Sequence, residues 1–181
     1  MEKNESRSSI SPTFCILPWV HRFTNIGGEI QVCCTSEEYN NTVIGNDGTP
    51  MNISRVQDDD TIMNSEFMKK LRLQLMQGQW PNLCTRCRVT ESTGGRSRRL
   101  SENTHFSEFV DSAVLNTSAE GEIKTQIRSV DFRLGNLCNL ACRMCSPRAS
   151  SRWVNDWGKV NQNWFVFSEE IANEFRNQDW F

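Results

Sequence analysis

Three cysteines lie close together in the segment CNLACRMC, which covers residues 138–145. Cys138, Cys142 and Cys145 have the spacing C-x3-C-x2-C. Three thiolates in one loop can bind three corners of a cubane iron–sulfur cluster and leave the fourth iron without a protein ligand. Structural zinc sites usually use C-x2-C pairs, and bacterial ferredoxins use C-x2-C-x2-C. The spacing therefore favours a cluster with one open iron, where chemistry could occur.

A second set of cysteines is spread over the first half of the chain. It consists of Cys15, Cys84, Cys87 and one of the adjacent pair Cys33 and Cys34. Because successive side chains of a strand point to opposite faces, only one of that pair can easily face the same site as Cys15. Four thiolates can fully ligate either a zinc ion or a [4Fe–4S] cluster. Spacing alone does not choose between the two metals.

The elements that must position these cysteines can be predicted from local patterns. Residues 20–26 and 29–33 are short β-prone runs around Gly27-Gly28, which predicts a hairpin with a two-residue glycine turn. Ser36–Asp60 is rich in polar turn residues and predicts a long loop with a short strand near residues 42–45. Apolar residues at helical spacing predict a helix over Ser65–Gln77, with Asn64 or Ser65 as its cap.

The three-cysteine loop follows a segment that is typical of a strand, residues 127–134. Val130, Phe132 and Leu134 share one face, and Asp131 and Arg133 the other. A cysteine loop directly after a strand places a cluster at the strand's carboxyl end, where α/β barrels have their active sites. Farther on, the sequence predicts a helix near residues 150–157, an apolar strand or turn at residues 164–167, and a helix that begins near residue 168.

Composition places the cysteines in a reducing compartment. The 181-residue chain contains eight cysteines and has a formal net charge of −2. No secretory leader or apolar stretch long enough to span a membrane is evident, so we expect a cytoplasmic protein with metal-binding rather than disulfide-bonded cysteines. The charge gives no electrostatic case for nucleic acid or for an anionic membrane as partner. Neither His21 nor His105 has a metal-ligand spacing, and we expect both to be surface or packing residues.

Residues 138–145, together with the strand before them, resemble the cluster loop and first barrel strand of the radical S-adenosylmethionine (radical SAM) superfamily. The resemblance implies that Cys138, Cys142 and Cys145 bind a [4Fe–4S] cluster whose open iron is chelated by S-adenosylmethionine. An electron from the cluster then splits the sulfonium to give a 5′-deoxyadenosyl radical, which takes a hydrogen atom from a substrate. It also implies that the backbone of Met144 passes near the adenine, and that a flavodoxin or ferredoxin supplies the electron.

The first half of the chain resembles a SPASM or twitch domain, the auxiliary-cluster module of many radical SAM enzymes. The similarity rests on CILPW at residues 15–19, the strand that ends at Cys33, the helix, and CTRC at residues 84–87. It implies a second [4Fe–4S] cluster on Cys15, Cys33, Cys84 and Cys87, since the family's spacing from glycine to cysteine matches Cys33 better than Cys34. The cluster would serve as an electron relay or a substrate anchor. Together the two resemblances cover residues 13–90 and 126–150.

The expected architecture is a small α+β, twitch-like domain of hairpin and helix, followed by the first βα unit of an incomplete radical SAM α/β partial barrel. We expect a disordered start at 1–12, the auxiliary domain at 13–92, a linker with a short helix at 93–125, and a truncated radical SAM domain at 126–181. The Ser-, Gly- and Arg-rich run at residues 88–103 is typical of a solvated linker. No counterpart of the family's glycine-rich motif follows, so we expect the chain to be the N-terminal part of a longer enzyme.

The residues leave the substrate open. The resemblance implies a peptide, protein or sugar-like substrate, and nothing in the sequence selects among them. Two other interpretations fit the cysteines: a zinc-binding structural or interaction module, and an electron-transfer iron–sulfur protein without chemistry of its own. Zinc would give a colourless protein whose fold depends on the metal, whereas an electron carrier would not bind S-adenosylmethionine.

Overall fold

The computed structural model describes residues 10–36, 41–56, 58–133, 135–147, 149–154 and 156. These residues belong to two compact units, one that ends at Phe132 and one that begins at Arg133. The first unit contains all the helices and strands with defined bounds. The helices are α1 Leu17–Val20, α2 Asp59–Met63, α3 Glu66–Met76, the 3-10 turn Asn82–Cys84, α4 Thr85–Ser92, α5 Arg98–His105 and α6 Ser107–Leu115; the strands are β1 His21–Thr24, β2 Ile30–Gln31 and β3 Ser129–Phe132.

The predicted hairpin is present, but its turn is one residue longer than expected. Strands β1 and β2 pair antiparallel, with Phe23 opposite Gln31. The turn is closed by a hydrogen bond from the Gly28 N–H to the Asn25 carbonyl, and only Gly28 of the glycine pair has a positive φ, 75°. This is a three-residue loop in which a type I turn is followed by a left-handed glycine. The predicted short strand after it consists only of single bridges, among them Thr42 with Gln31.

Strand β3 forms within the segment predicted for it and pairs parallel with β1, with His21 opposite Ser129. The sheet order is therefore β2-β1-β3. The domain start that the sequence placed at residue 126 thus falls inside a unit that extends to Phe132, because β3 adds to the N-terminal hairpin. Its apolar face is the exposed one: Val130 is 43% and Phe132 47% exposed.

Helix α3 agrees with the prediction almost to its ends. Ser65 caps it, since its side-chain oxygen accepts a hydrogen bond from the Met68 N–H, and Gly78 leaves it with a φ of 78°. Met68, Leu71 and Leu75 are buried in the core. The apolar stripe is therefore a packing face, as the sequence indicated.

One buried side chain on α3, Arg72, was not anticipated. It is fully buried and donates hydrogen bonds to the carbonyls of Gly121, Pro18 and Met63 at 2.8, 3.0 and 2.6 Å. Desolvation lowers the pKa of its guanidinium to about 10. Because Arg72 bonds to carbonyls of three separate segments, it joins α3 to α1, to α2 and to the chain that leads into β3.

Helices occupy more of residues 88–125 than the predicted linker with one short helix, and the short helix itself corresponds to α6. Helix α4 continues to Ser92, and α5 begins after Ser97, whose side chain caps it by accepting from the Leu100 N–H. Arg99 is buried and Phe106 contributes to the core. The polar composition concealed these helices, because Arg98 and Arg99 pair with Glu102 and Glu91 within the fold, whereas Arg88 and Arg96 are exposed.

Several predictions fall wholly or partly outside the described residues. These are the disordered start at 1–12, of which only the last residues are described, the helix near 150–157, the apolar segment at 164–167 and the helix from residue 168. Within the described ranges, no helix has the length and apolar character required to cross a membrane.

Candidate metal centre

Four cysteines from three segments line one cavity in the first unit. They are Cys15, just before α1; Cys33, just after β2; and Cys84 and Cys87, at the start of α4. All four belong to the set named from the sequence. The cavity is small, about 20 Å³, which is room for about one water-sized sphere.

The fold explains why Cys84 and Cys87 face the same way. The 3-10 turn Asn82–Cys84 runs directly into α4, so that Cys84 is the residue before its first turn and Cys87 lies within that turn. Residues three apart on a helix share a face. The sequence placed this C-x2-C pair at the mouth of a loop, and the structure places it at a helix start instead.

The structure separates the adjacent thiols Cys33 and Cys34. Cys33 lines the cavity, and its sulfur lies 3.6 Å from the hydroxyl of Ser36, which also donates to the Cys33 carbonyl at 3.0 Å. Cys34 is not among the lining residues, and its sulfur accepts a hydrogen bond from the Arg98 guanidinium. The geometry therefore favours Cys33 over Cys34 for the shared site, while its role as a ligand stays a prediction.

The thiols are desolvated and influence each other. Burial raises the pKa of the Cys15 thiol well above its ordinary value, and the neighbouring Cys33, Cys84 and Cys87 add to that effect. Burial, again with help from adjacent thiols, raises the pKa of Cys84 to about 12. Such thiols stay protonated until a metal displaces the protons.

The chemistry of the donors fits a thiolate-bound metal or cluster. Three cationic side chains, Arg86, Arg98 and Arg99, line the same cavity as the four thiols and can offset the negative charge of a four-thiolate centre. The present positions of the thiols are not those of a ligated centre: in the described part of the chain, no three or more Cys, His, Asp or Glu side chains are grouped closely enough to hold a metal ion. Binding would therefore require the thiols to move.

Helix α5 holds the cysteine segments together. Asn103 brackets Cys15: its side-chain oxygen accepts from the Ile16 N–H at 2.8 Å and its amide donates to the Phe14 carbonyl at 2.8 Å. Arg99 donates to the same Phe14 carbonyl at 2.8 Å and pairs with Glu91 of α4 through two bonds of 2.9 and 2.5 Å. The segment of Cys15 is thereby tied to the helix that begins at Cys84.

Arg98, at the start of α5, reaches the third cysteine segment through the sulfur of Cys34. Helix α5 thus contacts all three parts of the chain that bring cysteines to the cavity. Sequence reasoning missed it because basic and polar residues dominate residues 96–105. A signal was nevertheless present: Ser97 is a good cap, and neither glycine nor proline interrupts residues 97–115.

The three-cysteine loop lies in the second unit and is much more open. Cys142 is exposed, and Cys138 and Cys145 are half-buried. The Met144 side chain, next to the last cysteine, is fully exposed. The loop is the other part of the described chain in which the structure does not gather the thiols into a metal-binding group.

Hydrogen bonds to main-chain groups fix the shape of this loop. The Cys145 N–H donates to the Cys142 carbonyl at 2.9 Å, which also accepts from the Trp153 indole N–H at 2.9 Å. The hydroxyl of Ser150 donates to the Leu140 carbonyl at 2.8 Å. The buried Asn136 closes the base by donating from its side chain to the Pro147 carbonyl at 3.2 Å.

Comparison of the chain with protein families, with curated proteins and with solved structures gives no match. The roles that the radical SAM and twitch resemblances imply for the cysteines and for Met144 therefore stay predictions.

Proposed function

We propose that this chain belongs to a radical SAM enzyme with an auxiliary, fully ligated [4Fe–4S] cluster. The observation that carries the proposal is the convergence of Cys15, Cys33, Cys84 and Cys87 on one cavity. Packing alone does not require four thiols around one cavity, because any small apolar residue would fill the same space. A four-thiol site is what the second cluster of such an enzyme requires.

The three-cysteine loop supplies the second part of the proposal. Its C-x3-C-x2-C spacing offers three thiolates to a cubane cluster and leaves one iron for S-adenosylmethionine. The cluster would supply the electron that cleaves the sulfonium, while the protein binds and orients the two cofactors. The exposure of Cys142 and Met144 leaves this loop accessible to a cluster and to a nucleotide.

One observation favours zinc as a second candidate for the four-thiol site. The cavity has room for about one water-sized sphere, so a single Zn²⁺ would require less movement of the thiols than a cubane cluster. Tetrahedral Cys₄ coordination is common for structural zinc. The iron–sulfur assignment is preferred because the three-cysteine loop, whose spacing is unusual for zinc, occurs in the same chain.

The substrate class comes from the resemblance alone. A peptide, protein or sugar-like substrate, and a flavodoxin or ferredoxin as electron donor, are the partners proposed. Function has to be argued from a site, and the described residues do not select among these substrates.

Anaerobic reconstitution with iron and sulfide tests both metal assignments. We expect about eight irons per chain, from two [4Fe–4S] clusters, falling to about four in the Cys138/Cys142/Cys145→Ala variant. A second variant, Cys15/Cys33/Cys84/Cys87→Ala, should also retain about four. Stoichiometric zinc without iron at both sites would reject the proposal, and zinc at the four-thiol site alone would reject the auxiliary cluster.

A matched pair of single substitutions tests the choice of ligand. Cys33→Ala should lose the metal at the four-thiol site, whereas Cys34→Ala should retain it, because of these two neighbours Cys33 alone lines the cavity. The opposite result would assign Cys34 as the ligand. Formation of 5′-deoxyadenosine after reduction in the presence of S-adenosylmethionine would distinguish the enzyme from an electron carrier.

A further inference from the structure

A second cavity in the first unit has a different chemistry from the cysteine-lined one. It measures about 380 Å³, which is within the size range of small-molecule sites. Trp19, Val20 and Ile123 form apolar parts of its wall, and helix α6 contributes Phe109 and Ala113. None of the residues assigned to metal binding lines it.

One wall of this cavity carries positive charge. Residues 122–128 lead into β3 without regular secondary structure of their own. Three side chains of this stretch, Lys124, Gln126 and Arg128, line the cavity. The backbone of this stretch is anchored to the hairpin by a 2.8 Å hydrogen bond from the Arg128 N–H to the Val20 carbonyl.

The part of the chain that the structure describes offers no carboxylate partner to the two cations. No carboxylate is among the residues that line the cavity. Among the described residues, neither Lys124 nor Arg128 has an ion-pair partner within 4.0 Å. The Arg128 guanidinium donates a hydrogen bond to the side-chain oxygen of Gln126 at 3.0 Å and lies over the ring of Phe109, 4.8 Å from its centre. These two contacts hold the cation at the aromatic wall.

We propose that this cavity binds a small organic anion, a carboxylate or phosphate ester attached to a flat apolar body. Lys124 and Arg128 would bind the anionic group, with Arg128 offering two parallel donors. Phe109 and Trp19 would contact the apolar body, and Gln126 would supply an amide at the rim. The proposal is independent of the metal assignments, because no ligand of either cluster takes part in it.

Phenyl phosphate is a suitable probe, with benzyl alcohol as its uncharged counterpart. Titrated into the ¹⁵N-labelled 181-residue chain, phenyl phosphate should shift the amide signals of residues 124–128 and the indole signal of Trp19. Benzyl alcohol should bind at least tenfold more weakly. Equal affinity for both compounds, or the absence of saturable shifts up to millimolar concentration, would overturn the proposal.

Two sets of variants separate a built site from general attraction of anions. Lys124→Gln/Arg128→Gln should weaken phenyl phosphate binding at least tenfold. Arg55→Gln/Lys70→Gln removes the same charge from exposed positions elsewhere and should leave the affinity unchanged within a factor of two. Equal weakening by the two pairs would show nonspecific electrostatic binding and reject the site.

A third variant tests the cavity without altering its charge. Ser112 lies on the exposed side of α6 and lines the cavity, so Ser112→Trp should obstruct it. Loss of phenyl phosphate binding with an unchanged far-ultraviolet circular dichroism spectrum is the expected result. Unchanged binding in this variant would place the anion outside the cavity and contradict the proposal.

Discussion

The two cysteine sets differ in what holds them in place. Cys15 and its partners lie around a buried cavity, and side chains of α5 fasten the segments that carry them. The loop of Cys138, Cys142 and Cys145 is open and is shaped mainly by bonds to its own main-chain carbonyls. The fold brings the four thiols of the first site to one cavity before any metal binds, although they must still move to ligate it. The second site would gain much of its order from the metal, since binding and ordering are coupled.

Thiol alkylation is the most sensitive test of this difference between the two cysteine sets. In the metal-free protein, iodoacetamide should modify Cys142 about 100-fold faster than Cys15, because Cys15 is only 9% exposed and becomes accessible only through local opening that costs about 3 kcal/mol. Burial also raises the pKa of the Cys15 thiol, which lowers its thiolate fraction. Peptide mass spectrometry over time gives both rates.

Denaturation supplies the control for the alkylation experiment. In guanidinium chloride at a concentration that unfolds the chain, the two cysteines should react at rates within about a factor of three, because burial no longer distinguishes them. Similar rates in the native protein would mean that the four-thiol cavity is not protected.

Removal of Arg99 should be the most destabilising single change near the four-thiol cavity. Its guanidinium is 7% exposed and bonds both to Glu91 and to the Phe14 carbonyl. Arg99→Met leaves a partly buried carboxylate without its partner, which should lower the free energy of unfolding by about 3 kcal/mol. Urea unfolding followed by circular dichroism measures this loss.

Arg143 in the three-cysteine loop is the matched control. It is exposed, so Arg143→Met should change the free energy of unfolding by less than about 0.5 kcal/mol. Comparable losses of unfolding free energy in the two variants would show that the contacts of α5 do not stabilise the four-thiol site more than the three-cysteine loop is stabilised.

The first unit should also lose stability in mild acid through His21. The imidazole is buried and its pKa is lowered to about 4 by burial and, next, by Arg98, with Asp131 and the Ser129 bond opposing. The unfolded chain, with a histidine pKa of about 6.5, binds the proton more tightly. The contribution to stability is therefore complete above pH 6.5 and is lost as the pH falls towards 4, by about 2–3 kcal/mol.

Unfolding in urea between pH 4 and pH 7 measures that slope. His21→Asn should flatten it, whereas His105→Asn, at an exposed position, should leave it unchanged. A slope that persists in His21→Asn would assign the acid sensitivity to carboxylates instead.

Local signals were enough to predict the elements of the first unit that depend on neighbouring residues. The hairpin, the cap and apolar stripe of α3, and the C-x2-C pair each reflect patterns within a few residues. The preference for Cys33 over Cys34, which came from the family's spacing, agrees with the position of Cys33 on the cavity.

Long-range contacts were beyond the reach of sequence patterns. Arg99 looked solvated because Glu91, Phe14 and Trp80, which compensate its burial, become neighbours only after folding. The same holds for Arg72, which bonds to the carbonyl of Gly121, forty-nine residues away. Parallel pairing of β3 with β1 was missed because nothing within residues 127–134 identifies the partner strand.

The smallest effect is expected in the three-cysteine loop. Ser150 is buried and its hydroxyl donates to the Leu140 carbonyl, but Leu140 is exposed enough for water to replace that donor. Ser150→Ala should therefore cost about 1 kcal/mol locally, which is about fivefold faster amide hydrogen exchange in a peptide covering residues 138–147. The midpoint of urea unfolding of the first unit should not move.

Ser151→Ala is the control for this prediction. The Ser151 backbone N–H donates to the Asn136 carbonyl at 2.7 Å, and that hydrogen bond remains when the side chain is removed. Equal rates of amide exchange in the two variants would show that the Ser150 hydroxyl does not stabilise the loop. The difference in stability between this loop and the four-thiol site would then be larger than the structure indicates.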